Sequence, residues 1–464
     1  MSVYLKNRVQ MCMLDGLAIL RFTNAGRSGG GVETYLDDLD RTLLTRSKVE
    51  VIRMYLEEEL KGEKKIAERI GRGTLVLIPL EVGVGATQAQ SDKEKIRQSR
   101  LFFLKGIVRE LIVYNPFLYR VFFRDYLGKH FPRPNAFGFV ARNAREAIRK
   151  IFQEYNVDLI VMHHVGGVDS AEIIEEAKQR KVPYIFLNHF TNDNFNNISV
   201  REQLNGVAGV AGVSAVGVPR RLKRAFVNLS DGIDTELFSP DHARPLEVET
   251  NTPIIIYPAR IVRVKGQIDL IKACAKLRSD GLRVKVVFAG RRDSMEYEEE
   301  LRRLASKSGI GDDVLFVGQL DVEKLRDWYG ISSVLGFPTY CKEGFPRILM
   351  EAQAMKVTPI AYDVGGMSEG IQHGKTGLLV RRGDIQTFTK SLEYLLTHEE
   401  QRRKMGEEGR EFVKKHFSLE ALADRHEKYY LRILKNAGKC FGSNKEYSGP
   451  SLPTYDDNVS SPKK

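Results

Sequence analysis

The chain has few cysteines, and none of them is spaced for a metal site or a disulfide framework. The four are scattered over 464 residues and form no CxxC pair. Zinc sites and thioredoxin-like redox motifs need such close pairs, and isolated cysteines are typical of reducing compartments. The four cysteines are Cys12, Cys274, Cys341 and Cys440. Their isolation leads us to expect a cytoplasmic protein.

Long hydrophobic runs are also missing. The longest weakly polar stretch, residues 204–218, is rich in glycine and shorter than the roughly 20 residues that span a bilayer. The N-terminal stretch MSVYLKNRVQMCMLDG carries charge and lacks the apolar core of a signal peptide. Both observations agree with a cytoplasmic location.

The charge is not balanced: lysine and arginine exceed aspartate and glutamate by a formal net charge of +12. Such an excess indicates an anionic partner, which could be nucleic acid, a membrane surface or a phosphorylated small molecule, or else only a solubilising surface. Basic residues interleaved with stacking aromatics, as in single-strand binders, do not dominate any predicted sheet. We therefore expect no nucleic-acid partner.

Apolar, β-branched runs alternate with amphipathic charged stretches. Strand-like runs at 158–164 and 182–189 flank a helical stretch, and the same rhythm restarts with strand-like runs at 253–260 and 282–290. This is the pattern of βαβ units in a parallel sheet. Between the two blocks, residues 239–253 are polar, contain three prolines and show no clear period, as an interdomain connection would.

The predicted fold is therefore α/β, with two Rossmann-like, doubly wound domains that face an interdomain cleft. We place the N-terminal domain at residues 1–240 and the C-terminal domain at 250–415. A C-terminal helix at 416–438 and a polar, disordered tail at 439–464 complete the prediction.

Two segments place glycine or basic residues where ligands bind in such folds. GRSGGGVETYLDDL (26–39) opens a helix with glycines, which either admit an anionic ligand to the helix N-terminus or form only a tight turn. YPARIVRVKG (257–266) puts Arg260 and Lys265 beyond the carboxyl end of a strand, the edge that binds ligands in open α/β sheets. These two cations would suit a diphosphate, unless the loop is merely solvated.

Two further segments carry carboxylates and glycines. In EGFPRILMEAQA (343–354), Pro346 suits a helix start, which puts Glu343 in the preceding loop and Glu351 inside an apolar helix, where a carboxylate needs a partner. In DVGGMSEGIQHGKTGLLV (363–380), a glycine pair follows a strand and either caps a ligand or forms a simple turn. Strand-end histidines, including His163 and His189, show no metal-site spacing.

Taken together, these segments resemble a family 4 retaining glycosyltransferase of GT-B architecture, the glycosyl transferases group 1. PARIVRVKG is similar to the family's G-R-L-x-x-x-K-G, EGFPRILMEAQA to its E-x7-E motif, and DVGGMSEGIQHGKTGLLV to its D-x-G-G-x-x-E stretch. GGVETYL resembles the N-terminal loop and DGIDTELFSP the N-G-V-D-x-x-x-F turn. The resemblance is strongest between residues 253 and 380.

The resemblance implies roles in the C-terminal domain. Arg260 and Lys265 would neutralise the diphosphate of a nucleotide-sugar and stabilise the leaving group. Glu351 would accept hydrogen bonds from the ribose hydroxyls, and Glu343 would face the hydroxyls of the donor sugar. The backbone beside Glu343 would line the same site, through Gly344, Phe345 and Pro346.

In the N-terminal domain, the resemblance implies that Gly30 and Gly31 let a loop approach the donor phosphates and the acceptor. His189 would lie near the donor sugar, with His163 as a second family histidine. The implied reaction transfers a sugar, hexosyl in type, with retention of configuration, and the leaving phosphate helps to deprotonate the acceptor. No metal and no cofactor are implied, since the nucleotide diphosphate sugar is a co-substrate.

The resemblance leaves alternatives. A sugar phosphorylase or epimerase shares the architecture, although no lysine can be assigned to pyridoxal phosphate. A non-catalytic glycan- or nucleotide-binding protein on the same fold is the alternative from another class. The sequence also departs from the family pattern at Ala259, Asp231 and the pair Pro346–Arg347.

A basic segment, residues 99–134, matches no family motif that we can use. Leucine, isoleucine and valine recur there at helical spacing, with arginine, lysine and aromatic residues between them. Such a segment can lie in a membrane interface, or it can be a buried helix with a basic rim. Both alternatives stay open, and one hypothesis is peripheral contact with the inner face of the membrane. The acceptor met there would be a saccharide or a lipid-linked saccharide for polysaccharide or glycoconjugate biosynthesis.

Overall fold

A computed structural model describes most of the two predicted domains. Four sequence predictions lie outside the described residues: those on Gly30, on the glycine loop before α1 (Gly31–Arg46), on the basic segment 99–134 and on the tail 439–464. The described residues are 14–23, 31–57, 65–81, 144–163, 168–189, 203–216, 225–248 and 251–438, together with Val200, Val218, Pro219 and Leu222.

The first domain is built on an eight-stranded sheet in the order β3-β4-β2-β1-β5-β6-β7-β8. β3 pairs antiparallel with β4, and the other pairs are parallel. The strands are β1 (Ala18–Phe22), β2 (Glu50–Glu57), β3 (Ile66–Ile70), β4 (Gly73–Glu81), β5 (Leu159–Met162), β6 (Tyr184–Asn188), β7 (Gly209–Gly212) and β8 (Phe226–Asn228).

Helices cover both faces of this sheet. Ile19 of β1 packs in the same buried cluster as Leu36 of α1, whereas its neighbour Leu20 packs in a second cluster with Ile148. Adjacent strand residues point to opposite faces, so a strand buried on both sides must be apolar throughout. The helices of the second cluster are α2 (Ala144–Glu154) and α3 (Val168–Gln179).

The second domain is built on a six-stranded, fully parallel sheet in the order β11-β10-β9-β12-β13-β14. Every residue of its central strand is buried, as the uninterrupted apolar run IIIYP requires. The strands are β9 (Ile254–Pro258), β10 (Lys285–Ala289), β11 (Val314–Gly318), β12 (Val334–Phe337), β13 (Thr358–Tyr362) and β14 (Leu378–Val380).

Short polar side chains define where the helices of this domain begin. Ser294 accepts a hydrogen bond from the Tyr297 N–H, and Asp321 accepts one from the Lys324 N–H, so each satisfies a first-turn donor. The helices are α4 (Gln267–Ser279), α5 (Met295–Lys307), α6 (Val322–Gly330), α7 (Arg347–Ala354), α8 (Met367–Gly370) and α9 (Ile385–Thr397). The two parallel-sheet domains confirm the predicted fold class.

The last two helices carry the chain back to the first domain. After α10 (Glu399–His416), α11 (Leu419–Asn436) packs against α1. Asp424 of α11 forms an ion pair with Arg46 of α1. The predicted C-terminal helix is therefore part of the first domain's packing. Among the described helices, none combines the length and hydrophobicity of a transmembrane span.

A buried charge network lies where α11 meets the first sheet. Arg21 of β1 and Asp40 of α1 are both fully buried, with Nε and Oδ1 2.6 Å apart. Arg53 of β2 approaches the same carboxylate at 2.6 Å, and the Arg21 Nη1 donates to the Tyr430 hydroxyl of α11 at 2.9 Å. Because buried charges need partners, this network fixes the register between the sheet and both helices.

We expect Arg21→Met to lower the free energy of unfolding by about 3 kcal/mol, the lower end for a broken buried pair, because Arg53 still faces Asp40. Arg72→Met is the matched control, since Arg72 pairs with Asp15 at the surface, with side chains 41% and 31% exposed. The control Arg72→Met should lower the free energy of unfolding by less than about 1 kcal/mol. Urea titration followed by circular dichroism measures both, and equal losses would contradict a special role for the buried network.

Candidate active site

The site lies at the carboxyl edge of the second sheet. β9 is flanked by β10 and β12, so the chain order reverses there, and ligands bind at such switch points. Arg260 and Lys265 follow β9, while Glu343 follows β12. The topology thus brings residues 78 positions apart in the sequence to one edge.

Lys265 and Glu343 form an ion pair between Nζ and Oε1. Their side chains are 14% and 24% exposed, so the pair is shielded but open on one side. The Tyr257 hydroxyl donates to the Lys265 carbonyl and anchors the turn. Gly266 is required next to it, because its φ is +72° and a Cβ would lie 2.0 Å from the Pro338 carbonyl oxygen.

Arg260 lies farther toward solvent. Its Nη1 is 3.0 Å from the Oδ2 of Asp293, and its side chain is 57% exposed. Asp293 follows β10 and was not identified from the sequence, although its place after the strand in FAGRRD is the signal that could have found it. The two cations predicted to bind a diphosphate therefore each face a carboxylate of the protein.

Glu351 is buried in α7, as its apolar surroundings predicted. The Tyr329 hydroxyl donates to its Oε2 at 3.1 Å. Burial raises the pKa of Glu351, and the nearby Arg347 guanidinium and the Tyr329 hydrogen bond oppose that rise. Pro346 is the N-cap in extended conformation, so the helix begins at Arg347, one residue after the predicted start.

The glycine pair after β13 supports the loop that carries Glu343. The Gly366 N–H donates to the Glu343 carbonyl at 3.0 Å, and a Cβ on Gly366 would lie 1.8 Å from the Gly344 carbonyl oxygen. Gly365 has a φ of +60°, and its Cβ would lie 2.3 Å from the Glu343 carbonyl oxygen. The Gly366 N–H therefore donates to the protein's own backbone. Of the two alternatives for the glycine pair, this favours a structural turn over a cap that binds a ligand.

Glu369, just beyond the glycine pair, joins the two domains. Its Oε1 accepts hydrogen bonds from the Ser214 hydroxyl at 2.9 Å and from the Ala215 N–H at 3.1 Å. Its Oε2 accepts one from the Asn228 side-chain amide at 2.8 Å. Burial raises the pKa of Glu369, and these hydrogen bonds counteract it.

The first domain places two histidines against the Glu343 loop. His163 Nδ1 lies 2.8 Å from His189 Nε2, and the two rings stack with centroids 5.1 Å apart. A Cβ on Gly344 would lie 3.0 Å from the His189 carbonyl oxygen, so this loop and the histidine pair are in close contact. Phe345 is buried and packs on Phe417, 4.9 Å between centroids, and Gly31 is the first residue of α1.

Tyr35 and His426 support His189 and were missed from the sequence. The Tyr35 ring meets His189 edge-on at 4.9 Å. His426 Nδ1 lies 2.9 Å from the Leu422 carbonyl, so Nδ1 carries the proton and Nε2 accepts the Tyr35 hydroxyl. Tyr35 lies in the segment GGVETYL, whose glycines are a signal that could have found it. No pattern in the sequence around His426 points to that residue.

These histidines are neutral in the folded protein. Burial, followed by the charge of Arg21, lowers the pKa of His189 to about 3. Burial is also the main cause that lowers the pKa of His163 and of His426 well below the ordinary value. Within the described parts of the chain, no three His, Cys, Asp or Glu side chains are grouped to hold a metal ion.

We expect the protein to lose stability as the pH falls below about 6.5. The unfolded histidines bind protons near pH 6.5, whereas the folded ones stay neutral, so the stabilisation is present above that pH and lost below it. Each histidine contributes up to about 1.4 kcal/mol per pH unit. Urea titrations at a series of pH values between 7 and 5.5 measure the slope.

His426→Gln isolates this contribution, because buried carboxylates with a raised pKa, such as Glu351, act with the opposite sign. The variant should reduce the slope by up to about 1.4 kcal/mol per pH unit, because one buried histidine no longer titrates. The control His398→Gln changes an exposed residue at the end of α9 and should leave the slope unchanged. An unchanged slope in His426→Gln would contradict the neutral, buried histidines.

With this geometry established, comparison with known proteins gives the family. Residues 239–412 match the family model described as glycosyl transferases group 1. The C-terminal domain is therefore similar to this family over most of its length. The matched range contains Arg260, Lys265, Glu343 and Glu351, so it includes the charged edge of the second sheet. The resemblance seen in the sequence motifs is thereby confirmed.

The chain is similar to curated bacterial proteins. It is 31% identical over 208 residues to a GDP-mannose-dependent alpha-(1-6)-phosphatidylinositol monomannoside mannosyltransferase of Mycobacterium tuberculosis, covering 42% of this chain and 53% of the relative. It is 30% identical over 219 residues to the capsular polysaccharide biosynthesis glycosyltransferase CapM of Staphylococcus aureus, covering 45% and 54%. The chain therefore spans about half the length of the curated relatives it matches.

Solved structures match over more of the chain. Sucrose-phosphate synthase from Thermosynechococcus elongatus superposes with a TM-score of 0.64 at 20% identity, covering 90% of this chain and all of the other. Anabaena HepE in complex with UDP superposes with a TM-score of 0.63 at 13% identity, again covering 90% and 100%. At these identities the likeness shows the fold, which is GT-B.

Proposed function

We propose that the protein is a family 4 retaining glycosyltransferase that moves a hexosyl group from a nucleotide diphosphate sugar to a saccharide or lipid-linked saccharide. The observation that carries this proposal is the meeting of Lys265 and Glu343 at the switch point of the second sheet, with the buried Glu351 one turn into the following helix. A cation for phosphate and two carboxylates for hydroxyl groups form one edge of a cleft.

The cations suit a diphosphate leaving group. Lys265 is held by Glu343 and Arg260 by Asp293, so both side chains are oriented. As the bond to the sugar breaks, negative charge develops on the departing phosphate, and fixed positive charges stabilise it. We propose that these side chains supply that charge, with no cofactor.

Glu351 suits the ribose. It is shielded from water, and the Arg347 guanidinium and the Tyr329 hydroxyl favour its ionised form. An ionised, partly shielded carboxylate accepts strong hydrogen bonds from neighbouring hydroxyls. Glu343 lies in the loop before the helix, beside Gly344 and the histidine pair, where the donor sugar would lie.

The histidines suit hydrogen bonding to the sugar. With a pKa of about 3, His189 is a weak base at neutral pH. It can orient a hydroxyl group but contributes little to proton abstraction. This supports a front-face reaction in which an oxygen of the leaving phosphate takes the acceptor proton, and it makes His189, together with His163, a positioning group for the sugar.

The relatives named above support the substrate class at a coarse level. One is named as GDP-mannose-dependent and acts on a phosphatidylinositol monomannoside, and one structural neighbour holds UDP. We propose a nucleotide-sugar donor for this chain and an acceptor that is a saccharide or carries a lipid. An acceptor of the second kind would be met at the cytoplasmic face of a membrane.

A panel of UDP-, GDP- and ADP-sugars tests the donor. The matching donor should raise the unfolding midpoint by several degrees, because a ligand at 100 times its Kd adds about 2.7 kcal/mol of stability. Glu351→Gln should lose most of this shift, whereas Glu393→Gln, on the exposed side of α9, should keep it. Thermal shift measures binding, and release of free nucleotide distinguishes an enzyme from a binding protein.

Either of two results would reject the proposal. If no nucleotide-sugar stabilises the protein, the donor class is wrong. If Glu351→Gln keeps the full shift, the site is elsewhere. Stabilisation without any nucleotide release, with acceptor extracts present, would favour the non-catalytic alternative.

Membrane contact through residues 99–134 has its own test. Sedimentation with vesicles should recover more protein on anionic than on neutral lipid, because basic residues near an anionic surface each contribute about 1 kcal/mol. Replacement of Arg120 and Arg124 by glutamine should reduce that recovery. Equal recovery on both vesicles, or none, would reject the membrane contact.

A further inference from the structure

Arg347, the first residue of α7, extends from the second domain into the first. Its Nη2 lies 2.9 Å from Oδ2 of Asp38 in α1. Its Nη1 lies 3.1 Å from Oδ1 of Asp231 and 3.0 Å from the Gly232 carbonyl oxygen, in the turn after β8. The Arg347 side chain is only 17% exposed, so this is a largely buried contact between domains.

Two departures from the family motifs meet in this contact. Arg347 belongs to the Pro346–Arg347 pair, which stands where a glycine–hydrophobic pair is commoner. Asp231 stands where the N-G-V-D turn has asparagine. The sequence places these residues 116 positions apart, and the structure pairs their opposite charges.

The charges around Arg347 explain why it must stay in place. Burial by itself lowers the pKa of Arg347, but Asp231, Asp38 and Glu351 outweigh that effect and raise it. Burial raises the pKa of Asp38 and of Asp231, and Arg347 opposes both shifts. One guanidinium therefore stabilises three carboxylates, including the one proposed to bind ribose.

The first-domain side of the contact is rigid. A Cβ on Gly232 would lie 2.8 Å from Leu422 of α11, and the Ile233 N–H donates to the Phe417 carbonyl at 2.8 Å. Arg425 of α11 donates from Nη2 to the Asp231 carbonyl at 3.2 Å. The turn that holds Arg347 is thus fixed against α11.

The position of Arg347 along the chain determines which parts of the two domains the contact connects. It directly follows the loop of Glu343 to Pro346 and lies one helical turn before Glu351. Asp38 lies two turns after Gly31, where α1 begins. A link between them holds the start of α7 against the middle of α1.

We propose that Arg347 is a positioning residue that locks the donor loop and Glu351 to the first domain through Asp38 and Asp231. The lock fixes the start of α7, and with it Glu351, relative to α1. The part of this proposal that concerns the donor rests on the proposed function, whereas the interdomain lock does not.

Asp38→Asn is the variant of choice. Arg347→Met would leave three carboxylates without their guanidinium, so a loss of folding would carry no information. Asp38→Asn removes only the charge at one end, and Asp38→Glu keeps a carboxylate for Arg347. Asp37→Asn is the matched control, because Asp37 is adjacent on α1 but pairs with Arg53 inside the first domain, 2.6 Å between Nη1 and Oδ1.

Two quantities are measured on each full-length variant. Small-angle X-ray scattering reports the radius of gyration, and nucleotide release from the donor selected in the panel reports KM and kcat. Asp38→Asn should increase the radius of gyration and raise the donor KM about 3- to 10-fold, as expected for a partly screened charged hydrogen bond, with kcat within about 2-fold. Asp38→Glu and Asp37→Asn should behave like the unaltered protein.

The outcomes separate this proposal from the proposed function. If Asp38→Asn matches Asp37→Asn in both measurements, the lock is rejected. If the radius of gyration increases while KM is unchanged, the positioning role is rejected. If the unaltered protein releases no nucleotide, the proposed function fails, and scattering alone then decides whether Arg347 locks the domains.

Discussion

The return of α11 to the first domain is the constraint on which the rest of the structure depends. This helix supplies Tyr430 to the buried Arg21, His426 to Tyr35, and Arg425 to the turn at Asp231. Since each contact involves a buried polar group, moving the helix would leave several such groups unpaired at once. The helix therefore sets where the first domain's histidines stand and where the second domain attaches.

Ion pairs hold charged side chains in place at the edge of the second sheet, as they do in the core of the first domain. The Lys265–Glu343 and Arg260–Asp293 pairs hold charged groups at the edge of the second sheet, while Glu369 holds polar groups of the first domain. Neutral histidines stand opposite, because burial makes the charged form costly. The edge of the second sheet is thus charged, whereas the histidines of the first domain that face it are neutral.

Much of the fold was predictable, because apolar strands and capped helices leave local patterns. The run 182–189 predicted a strand observed at Tyr184–Asn188, and the proline before α7 predicted that helix to within one residue. The burial of Glu351 also followed from its apolar neighbours. Tyr329, Asp293 and His426 were not identified from the sequence. Each of them contacts its partner in the site across a long stretch of sequence, so no local pattern connects the two.

The sequence by itself determined the two α/β domains, the order of their strands along the chain and the charged residues at the strand ends, because periodicity and strand-end position are local properties. Only the tertiary structure decided which of these charges meet. The pairing of Arg347 with Asp38 and Asp231, and the support of His189 by Tyr35, depend on how two sheets and a returning helix pack. Such contacts are set by the burial of whole faces, which no short segment contains.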